Sequence, residues 1–268
     1  MPDASAAPAS PARDLSTRQL VQEGAEPFFY AAGPTGCLLL HGFTSSPFTM
    51  REMGAHLAAS GVTVCAPLLA GHGTSPEDLR TKTWQDWVAS ADEGLAQLRA
   101  YGCRRIYLAG LSLGGALTLY LAARDPNAYA GMVVMSAPVW IPAMLRLPLT
   151  AVSDAVPYFN KRFSDIAEPG ARQRQLTYSR IPLAAAATLI DLLSEMRPAL
   201  GRITIPALII YARHDHLVHP VNSMHIYSHI ASRDKRLVVL HRGFHIVTVD
   251  RDKDRVFQLA AEFMHRED

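Results

Sequence analysis

Residues 110–114 read Gly-Leu-Ser-Leu-Gly, which puts Ser112 between two glycines at the spacing of a nucleophilic serine. A serine in a sharp strand-to-helix turn projects its hydroxyl above the sheet edge, and the flanking glycines leave room for that turn. The motif alone is weak, because a helix N-cap serine beside packing glycines gives the same pattern. Here a strand-like run over 106–109 precedes the motif and a helical pattern over 113–123 follows it. This context favours Ser112 as a nucleophile.

An acid and a base are expected after the nucleophile, in the chain order Ser, acid, His. Among the 11 histidines, His245 follows the last predicted strand and precedes the final helix. A base at that position would reach the carboxyl edge of the sheet. Asp215 follows the strand predicted over 207–211. It would hold the imidazole in the required tautomer and stabilise the imidazolium.

Other residues could take these roles or explain the same pattern. His241 is the alternative base, at the end of the last predicted strand, and Asp191 is the alternative acid, within a helix-rich segment. Asp215 could also be a turn-forming aspartate. Five histidines between 214 and 229 surround a strand end and the next helix. They lack the Cys or carboxylate spacing of a zinc site.

Attack on an ester carbonyl builds negative charge that backbone N–H groups must stabilise. The residue after the nucleophile, Leu113, supplies one such group. The segment 41–44, His-Gly-Phe-Thr, follows an earlier strand, and Gly42 allows the backbone to bend toward the site. Phe43 is therefore the expected second donor, although a purely structural turn would have the same sequence. We interpret the Gly71-His72-Gly73 loop as structural.

The elements that must position these residues alternate regularly from about residue 28. Strands are predicted over 27–32, 37–40, 62–65, 106–109, 132–135, 207–211 and 237–240, and helices over 47–60, 84–98, 113–123, 220–230 and 252–263. Strands separated by helix-length segments indicate a parallel sheet covered on both faces. The sequence therefore predicts an α/β fold.

The alternation is interrupted between residues 139 and 201, where the chain is rich in proline and helix-like, with no convincing strand. We interpret 139–201 as a small helical cap inserted into a core formed by 26–138 and 202–268. Residues 1–25, rich in Ala, Pro and Ser, are interpreted as a flexible arm.

Apolar residues of the cap and of the flanking loops should enclose an acyl pocket, because ligand sites bury most of a small ligand against apolar side chains. We expect the following residues to line that pocket: Phe43, Trp140, Met144, Leu145 and Phe244.

Composition argues against several other functions. Lys and Arg total 26 against 24 Asp and Glu, a net charge of +2, which gives no indication of nucleic-acid binding. No apolar run approaches the roughly 18–20 residues that span a bilayer. The first residues lack an apolar signal-peptide centre, and three cysteines suit free buried thiols better than a disulfide framework. We expect a cytoplasmic protein; the sequence does not indicate its oligomeric state.

Taken together, the segments 38–44, 71–73 and 110–115 resemble those of bacterial carboxylesterases and monoacylglycerol lipases of the α/β-hydrolase fold. The similarity is greatest to small thermostable Bacillus-type carboxylesterases. It extends from about residue 27 to the C-terminus and includes 212–215 and 245–250.

This resemblance implies Ser112 as nucleophile, Asp215 as acid and His245 as base. It also implies Phe43 and Leu113 as oxyanion donors, and neither a metal nor an organic cofactor. One departure is visible, since relatives usually carry glycine directly before the base, where this chain has a bulky phenylalanine.

We therefore expect a serine hydrolase that cleaves small-molecule esters of short to medium acyl chains, or monoacylglycerols. A thioesterase or a carbon–carbon bond hydrolase on the same fold is the alternative, because its triad and oxyanion hole would look alike. A non-catalytic ligand-binding protein is the third possibility, against which an intact Ser, Asp and His set argues.

Overall fold

A seven-stranded sheet forms the centre of the protein in the computed structural model, which describes residues 20–141, 155–161 and 164–266. The described strands, in chain order, are β1 Phe28–Tyr30, β2 Thr35–Leu40, β3 Val62–Ala66, β4 Arg105–Leu111, β5 Gly131–Met135, β6 Tyr158–Asn160, β7 Arg180–Pro182, β8 Ala207–Ala212 and β9 Lys235–Leu240. The large sheet has the order β1-β3-β2-β4-β5-β8-β9. All its neighbours are parallel except β1, which pairs antiparallel with β3.

Helices cover both faces of this sheet. The described α-helices are α1 Arg51–Ala59, α2 Pro76–Arg80, α3 Trp84–Tyr101, α4 Leu113–Arg124, α5 Pro169–Gln173, α6 Leu183–Met196, α7 Val221–His229 and α8 Lys253–Met264, with 3₁₀ turns at Pro47–Met50 and Arg197–Arg202. The mostly parallel α/β architecture predicted from the sequence is confirmed, and it is that of the α/β-hydrolase fold.

Successive side chains of each strand point to opposite faces of the sheet, and this divides the core into two apolar clusters. In β2, Leu38 and Leu40 pack on the face that carries α3, α4 and α6, whereas Cys37 and Leu39 pack on the face that carries α1 and α8. Successive side chains of a strand point to opposite faces, so a strand buried on both sides is apolar throughout. This explains the continuous Cys-Leu-Leu-Leu run.

The segment between β5 and β8 differs from the predicted all-helical cap. Strands β6 and β7 form a two-stranded antiparallel sheet in which Phe159 lies opposite Ile181. Each strand has only three residues, too few for an alternating pattern to be visible in the sequence. Helix α6 packs against α3 and α4 and so joins this segment to the core. The domain boundaries at 139 and 201 stay a prediction.

The three cysteines are free and buried. Burial raises the pKa of the Cys65 thiol to about 11 and also raises the pKa of Cys37 and Cys103. Buried thiols of this kind are chemically inert at neutral pH. None of the helices in the described part of the chain is long and apolar enough to cross a bilayer.

Two glycines allow α4 to approach the sheet closely. A Cβ added at Gly114 would lie 2.1 Å from the Leu40 carbonyl oxygen, and one at Gly110 would lie 2.1 Å from the Gly114 carbonyl oxygen. Both contacts are with backbone atoms, which cannot move aside without shifting a strand or the helix. The helix can therefore start directly above the ends of β2 and β4 only because both positions lack a side chain.

We predict that Gly114→Ala lowers the free energy of unfolding by about 3 kcal/mol or more, because the added methyl group overpacks a backbone–backbone contact. Urea unfolding measures the change. The matched control is Gly201→Ala, where the nearest atom to a new Cβ is 3.9 Å away and a change within about 0.5 kcal/mol is expected. Equal effects of the two substitutions would contradict this account of α4 packing.

Candidate active site

Ser112 occupies the turn between β4 and α4 in a strained backbone conformation. Its φ is 54° and its ψ is −114°, a region that side-chain-bearing residues rarely adopt. Its N–H donates to the Met135 carbonyl at 2.9 Å, and its own carbonyl accepts the N–H of Ala116 at 3.0 Å. The turn is thus fixed between strand β5 and the first helical hydrogen bond, and it holds the candidate nucleophile half-buried at the sheet edge.

Asp215 and His245 meet at the carboxyl ends of the adjacent strands β8 and β9. The His245 Nδ1 and the Asp215 Oδ2 are 2.7 Å apart, and their side chains are 5% and 1% exposed. The other carboxylate oxygen, Oδ1, accepts the N–H groups of Leu217 at 2.9 Å and Val218 at 2.7 Å. Because both oxygens are held, the carboxylate fixes the imidazole with Nδ1 toward the acid and leaves Nε2 for another partner.

Ser112 and His245 both line one cavity of about 510 Å³, a size within the usual range of small-molecule pockets. Its described lining residues are Gly42, Phe43, Thr44, Ser45, Leu111, Ser112, Pro138, Trp140, Ile141, Phe159, Lys161, Thr177, Ile181, Leu189, Leu217, Val218, His219, Asn222, His245 and Ile246. The structure therefore brings the candidate nucleophile and base to one largely apolar chamber.

The five residues expected to line the pocket have different positions. Phe43 and Trp140 lie in the cavity wall, whereas Met144 and Leu145 fall outside the described residues. Phe244 is not among the described lining residues. Its ring packs edge-on against His216 at a centroid distance of 4.7 Å, and its backbone N–H donates to Asp250 Oδ2 at 2.7 Å.

The candidate oxyanion donors lie on either side of the nucleophile. Leu113 begins α4, and its N–H precedes the first intrahelical hydrogen bond, so the helix itself does not use it. Phe43 lies in the loop after β2. Its ring packs edge-on against His72 and Trp87 at 6.0 and 5.8 Å between centroids. Packing of the ring holds that loop beside the cavity.

His41 holds the loop after β2 in place through hydrogen bonds of both ring nitrogens. Its Nδ1–H donates to the Gly42 carbonyl at 2.9 Å, and its Nε2 accepts the Leu69 N–H at 3.1 Å. These two bonds require a neutral ring. Burial, with the neighbouring His72 as a second cause, lowers the pKa of His41 to about 3. His41 is thus a structural residue that links the loops following β2 and β3.

The weaker sequence candidates lie away from the cavity. His241 is exposed at the end of β9, and Asp191 is exposed on α6. His72 is fully buried against aromatic rings and is absent from the described cavity lining. Burial lowers the pKa of His72 to about 4, so its ring is neutral at pH 7.

Asp165 was not identified from the sequence, although it holds the loop that carries His245 in place. Its side chain is 2% exposed. Its Oδ2 accepts the N–H groups of His216 at 2.9 Å and of His245 at 3.3 Å, and its Oδ1 lies 2.7 Å from His216 Nδ1. One carboxylate therefore joins the loop after β8, the loop after β9 and the segment between β6 and α5. An isolated aspartate in a proline-rich stretch carries no sequence signal for this role.

Asp250 forms a second link between the same segments. Its side chain accepts the N–H groups of Ala167 at 2.8 Å, Glu168 at 2.9 Å and Phe244 at 2.7 Å. The residue is 1% exposed. Both buried carboxylates thus hold the loop that carries His245 against the segment that precedes α5.

Comparison with known proteins identifies the family to which the chain is similar. The family model described as serine aminopeptidase, S33, matches residues 35–252. A thermostable monoacylglycerol lipase from Bacillus sp. (strain H-257) is 39% identical over 249 residues, 93% of this chain and 98% of that protein. A carboxylesterase from Bacillus subtilis (strain 168) is 31% identical over 243 residues, 91% of this chain and 97% of that protein.

Solved structures give the same fold. The structure reported for LipS and LipT, two metagenome-derived lipolytic enzymes, is 34% identical with a TM-score of 0.88, covering 92% of this chain and 100% of the other. The monoacylglycerol lipase of Paleococcus ferrophilus is 19% identical with a TM-score of 0.76, over 89% and 98% of the two chains. At that identity the likeness concerns the fold alone.

Fold and site together define a serine hydrolase of the α/β-hydrolase fold. The chain belongs to the family described as serine aminopeptidase, S33, and it resembles lipolytic enzymes over nearly its whole length. The family resemblance predicted from the sequence is confirmed.

We predict that the protein becomes less stable as pH falls from about 6.5 toward 4, because unfolding lets His41 and His72 take up protons that the folded state excludes. Their folded pKa values lie below the unfolded value, so the unfolded state binds more protons in this window. Each contributes a slope of up to about 1.4 kcal/mol per pH unit.

Urea unfolding at several pH values checks this slope. His72→Gln should make it shallower, whereas His241→Gln, at an exposed site, should leave it unchanged. Identical slopes in all three proteins would contradict the assignment of neutral buried histidines.

We also predict that Asp165→Ala lowers the free energy of unfolding by about 2 kcal/mol or more, because buried N–H groups lose their acceptor. The displaced His245 should slow labelling of Ser112 by a fluorophosphonate roughly tenfold or more. The control is Asp191→Ala on the exposed face of α6. An unchanged labelling rate in folded Asp165→Ala protein would show that His245 keeps its position without this carboxylate.

Proposed function

We propose that this protein hydrolyses carboxylic esters of short to medium acyl chains, including monoacylglycerols, through an acyl-enzyme formed on Ser112. The observation that carries the proposal is the buried His245–Asp215 pair, whose imidazole lines the same cavity as a serine held in a strained strand-to-helix turn. The lipolytic relatives that cover nearly the whole chain support it.

In this mechanism the Ser112 Oγ attacks the ester carbonyl while His245 Nε2 accepts its proton. Collapse of the tetrahedral intermediate breaks the bond to the alcohol, which leaves with the proton returned by the imidazolium. Water then attacks the acyl-enzyme with His245 again as base, and the acid is released. Asp215 holds the ring and stabilises its positive charge, and it does not itself become protonated.

Negative charge on the carbonyl oxygen is stabilised at the start of α4. The N–H of Leu113 is unused by the helix, and the positive end of the helix dipole adds to its effect. Phe43 N–H is the second proposed donor, on the loop that His41 and the ring contacts of Phe43 hold in place. Donors fixed before the reaction need no reorganisation in the transition state.

The cavity suits an apolar acyl group of modest length. Its walls are largely apolar, and Trp140, Phe159 and Leu217 are about half exposed at its edge. A volume of about 510 Å³ is within the range of pockets that bury a small ligand and well below the upper end of that range. We therefore expect medium chains to be preferred over long ones.

An aminopeptidase activity, which the family description raises, has little support in this cavity. A substrate with a free α-ammonium group would need a carboxylate or several carbonyl oxygens to receive its charge. The described residues that line the cavity include no Asp or Glu, and they do include the cationic Lys161. A thioesterase or carbon–carbon bond hydrolase would use the same triad, so only a substrate panel separates those activities.

We predict that Ser112→Ala lowers kcat/KM for p-nitrophenyl esters at least about a thousandfold, with His245→Gln and Asp215→Asn also strongly impaired. Assays of the wild type from acetate to palmitate locate the chain-length optimum. The control is Ser228→Ala, at an exposed position on α7, which should retain full activity.

Acyl thioesters, vinylogous diketones and aminoacyl p-nitroanilides complete the panel. Faster turnover of any of these than of every oxygen ester would overturn the ester proposal, and equal rates for Ser112→Ala and wild type would overturn the nucleophile. The cytoplasmic location expected from the sequence stays a prediction.

A further inference from the structure

Lys161 places an amine in the wall of the largely apolar cavity. The residue directly follows β6, and its backbone N–H donates to the Ser179 carbonyl at 2.8 Å. Its side chain lines the cavity together with Ser112 and His245. The Nζ donates to the Thr177 Oγ1 at 2.9 Å. Neither the proposed triad nor the proposed oxyanion donors use this cation.

The amine is connected to the loop that carries the proposed oxyanion donor. Thr177 Oγ1 accepts from Lys161 and donates to the Thr44 carbonyl at 3.0 Å, and the Tyr178 N–H donates to the same carbonyl at 3.1 Å. Thr44 follows Phe43 directly and has a positive φ of 60°. Lys161 is therefore held on the Phe43 side of the cavity, within reach of a substrate seated there.

This amine has no counter-ion among the described residues. The ion pairs of the described chain do not include Lys161, and no Asp or Glu is among the described residues of the cavity wall. Burial lowers the pKa of Lys161 to about 8, so the group is still mainly protonated at pH 7. A half-buried charge that has no ion-pair partner among the described residues is unfavourable, and this one lies in the wall of the cavity.

We propose that Lys161 binds an anionic oxygen group of the substrate, a carboxylate or a phosphate, and so selects esters that carry negative charge near the scissile bond. An ammonium has three N–H donors, and the hydrogen bond to Thr177 uses one of them. An incoming oxyanion would supply a charge-assisted acceptor and a counter-ion, which none of the described residues provides. The inference rests on the proposed ester hydrolysis and names a substrate class within it.

The test compares matched neutral and anionic esters at pH 7, below the pKa of the amine. One pair places a carboxylate on the acyl side: p-nitrophenyl valerate and the mono-p-nitrophenyl ester of glutaric acid. The other places a phosphate on the alcohol side: butyryl-glycerol and butyryl-glycerol phosphate. The measured quantity is the ratio of kcat/KM for the anionic to the neutral ester, in which the shared triad chemistry cancels.

Lys161→Met should lower this ratio roughly tenfold or more in at least one pair, since hydrogen bonds to charged groups contribute more than neutral ones. Lys161→Arg should keep most of it, because the charge remains. The control is Lys253→Met, which removes one positive charge paired with Glu52 at the surface and should leave both ratios unchanged. The pair that responds distinguishes a carboxylate from a phosphate.

Unchanged ratios in both pairs for Lys161→Met, with the neutral esters still cleaved, would overturn the inference and leave the proposed ester hydrolysis intact. An equal loss on butyryl-glycerol and its phosphate, with the ratio of the p-nitrophenyl pair unchanged, is one form of this result, and it would show that the amine binds a glycerol hydroxyl.

Calorimetric binding of monoethyl glutarate to Ser112→Ala, with and without Lys161→Met, gives a readout that does not depend on turnover. If the carboxylate pair is the one that responds, weaker binding in the double variant is expected, and equal binding would then overturn the inference.

Discussion

The close approach of helix α4 to strands β2 and β4 is the constraint on which the rest of the site depends. Backbone carbonyls occupy the space where side chains of Gly110 and Gly114 would lie, so the chain must turn from strand to helix within one residue. That residue is Ser112, and its unfavourable φ and ψ persist because β5 and α4 hold the residue on both sides. The same turn brings the Ser112 hydroxyl to the cavity. It also places the N–H groups that the first turn of α4 leaves unused close to that hydroxyl.

The part of the site that carries His245 is built from buried carboxylates, whose oxygens accept hydrogen bonds from backbone N–H groups or contact a histidine ring. Asp215 accepts hydrogen bonds from two backbone N–H groups in addition to its contact with His245, and Asp165 and Asp250 tie the loop that carries His245 to the segment before α5. Hydrogen bonds to a buried carboxylate are stronger than those between neutral groups. A loop fixed in this way can hold an imidazole in one tautomer, which no apolar contact could specify.

The cavity combines an apolar wall with a few fixed polar groups. His41 and His72 remain neutral because they are buried, so the histidines behind Phe43 add no charge near the developing oxyanion. Lys161 adds a positive charge to the largely apolar wall formed by the described lining residues. Specificity in such a site depends on which substrate group meets each polar atom, whereas the triad determines only the class of reaction.

The sequence by itself determined the α/β class, the positions of most core strands and helices, and the choice of Ser112, Asp215 and His245 as candidates. These features have local signatures: periodicity, a glycine-flanked serine, and chain order after a strand. Only the tertiary structure decided which further polar residues support them. Asp165 and His245 are separated by 80 positions along the chain, and the pairing of β6 with β7 joins two three-residue strands, so neither is visible in any local pattern. Lys161 likewise appears as an ordinary surface residue in the sequence. Only the fold shows that it lies in the cavity wall beside Thr177 with no counter-ion among the described residues, because burial and charge pairing are properties of the packed chain.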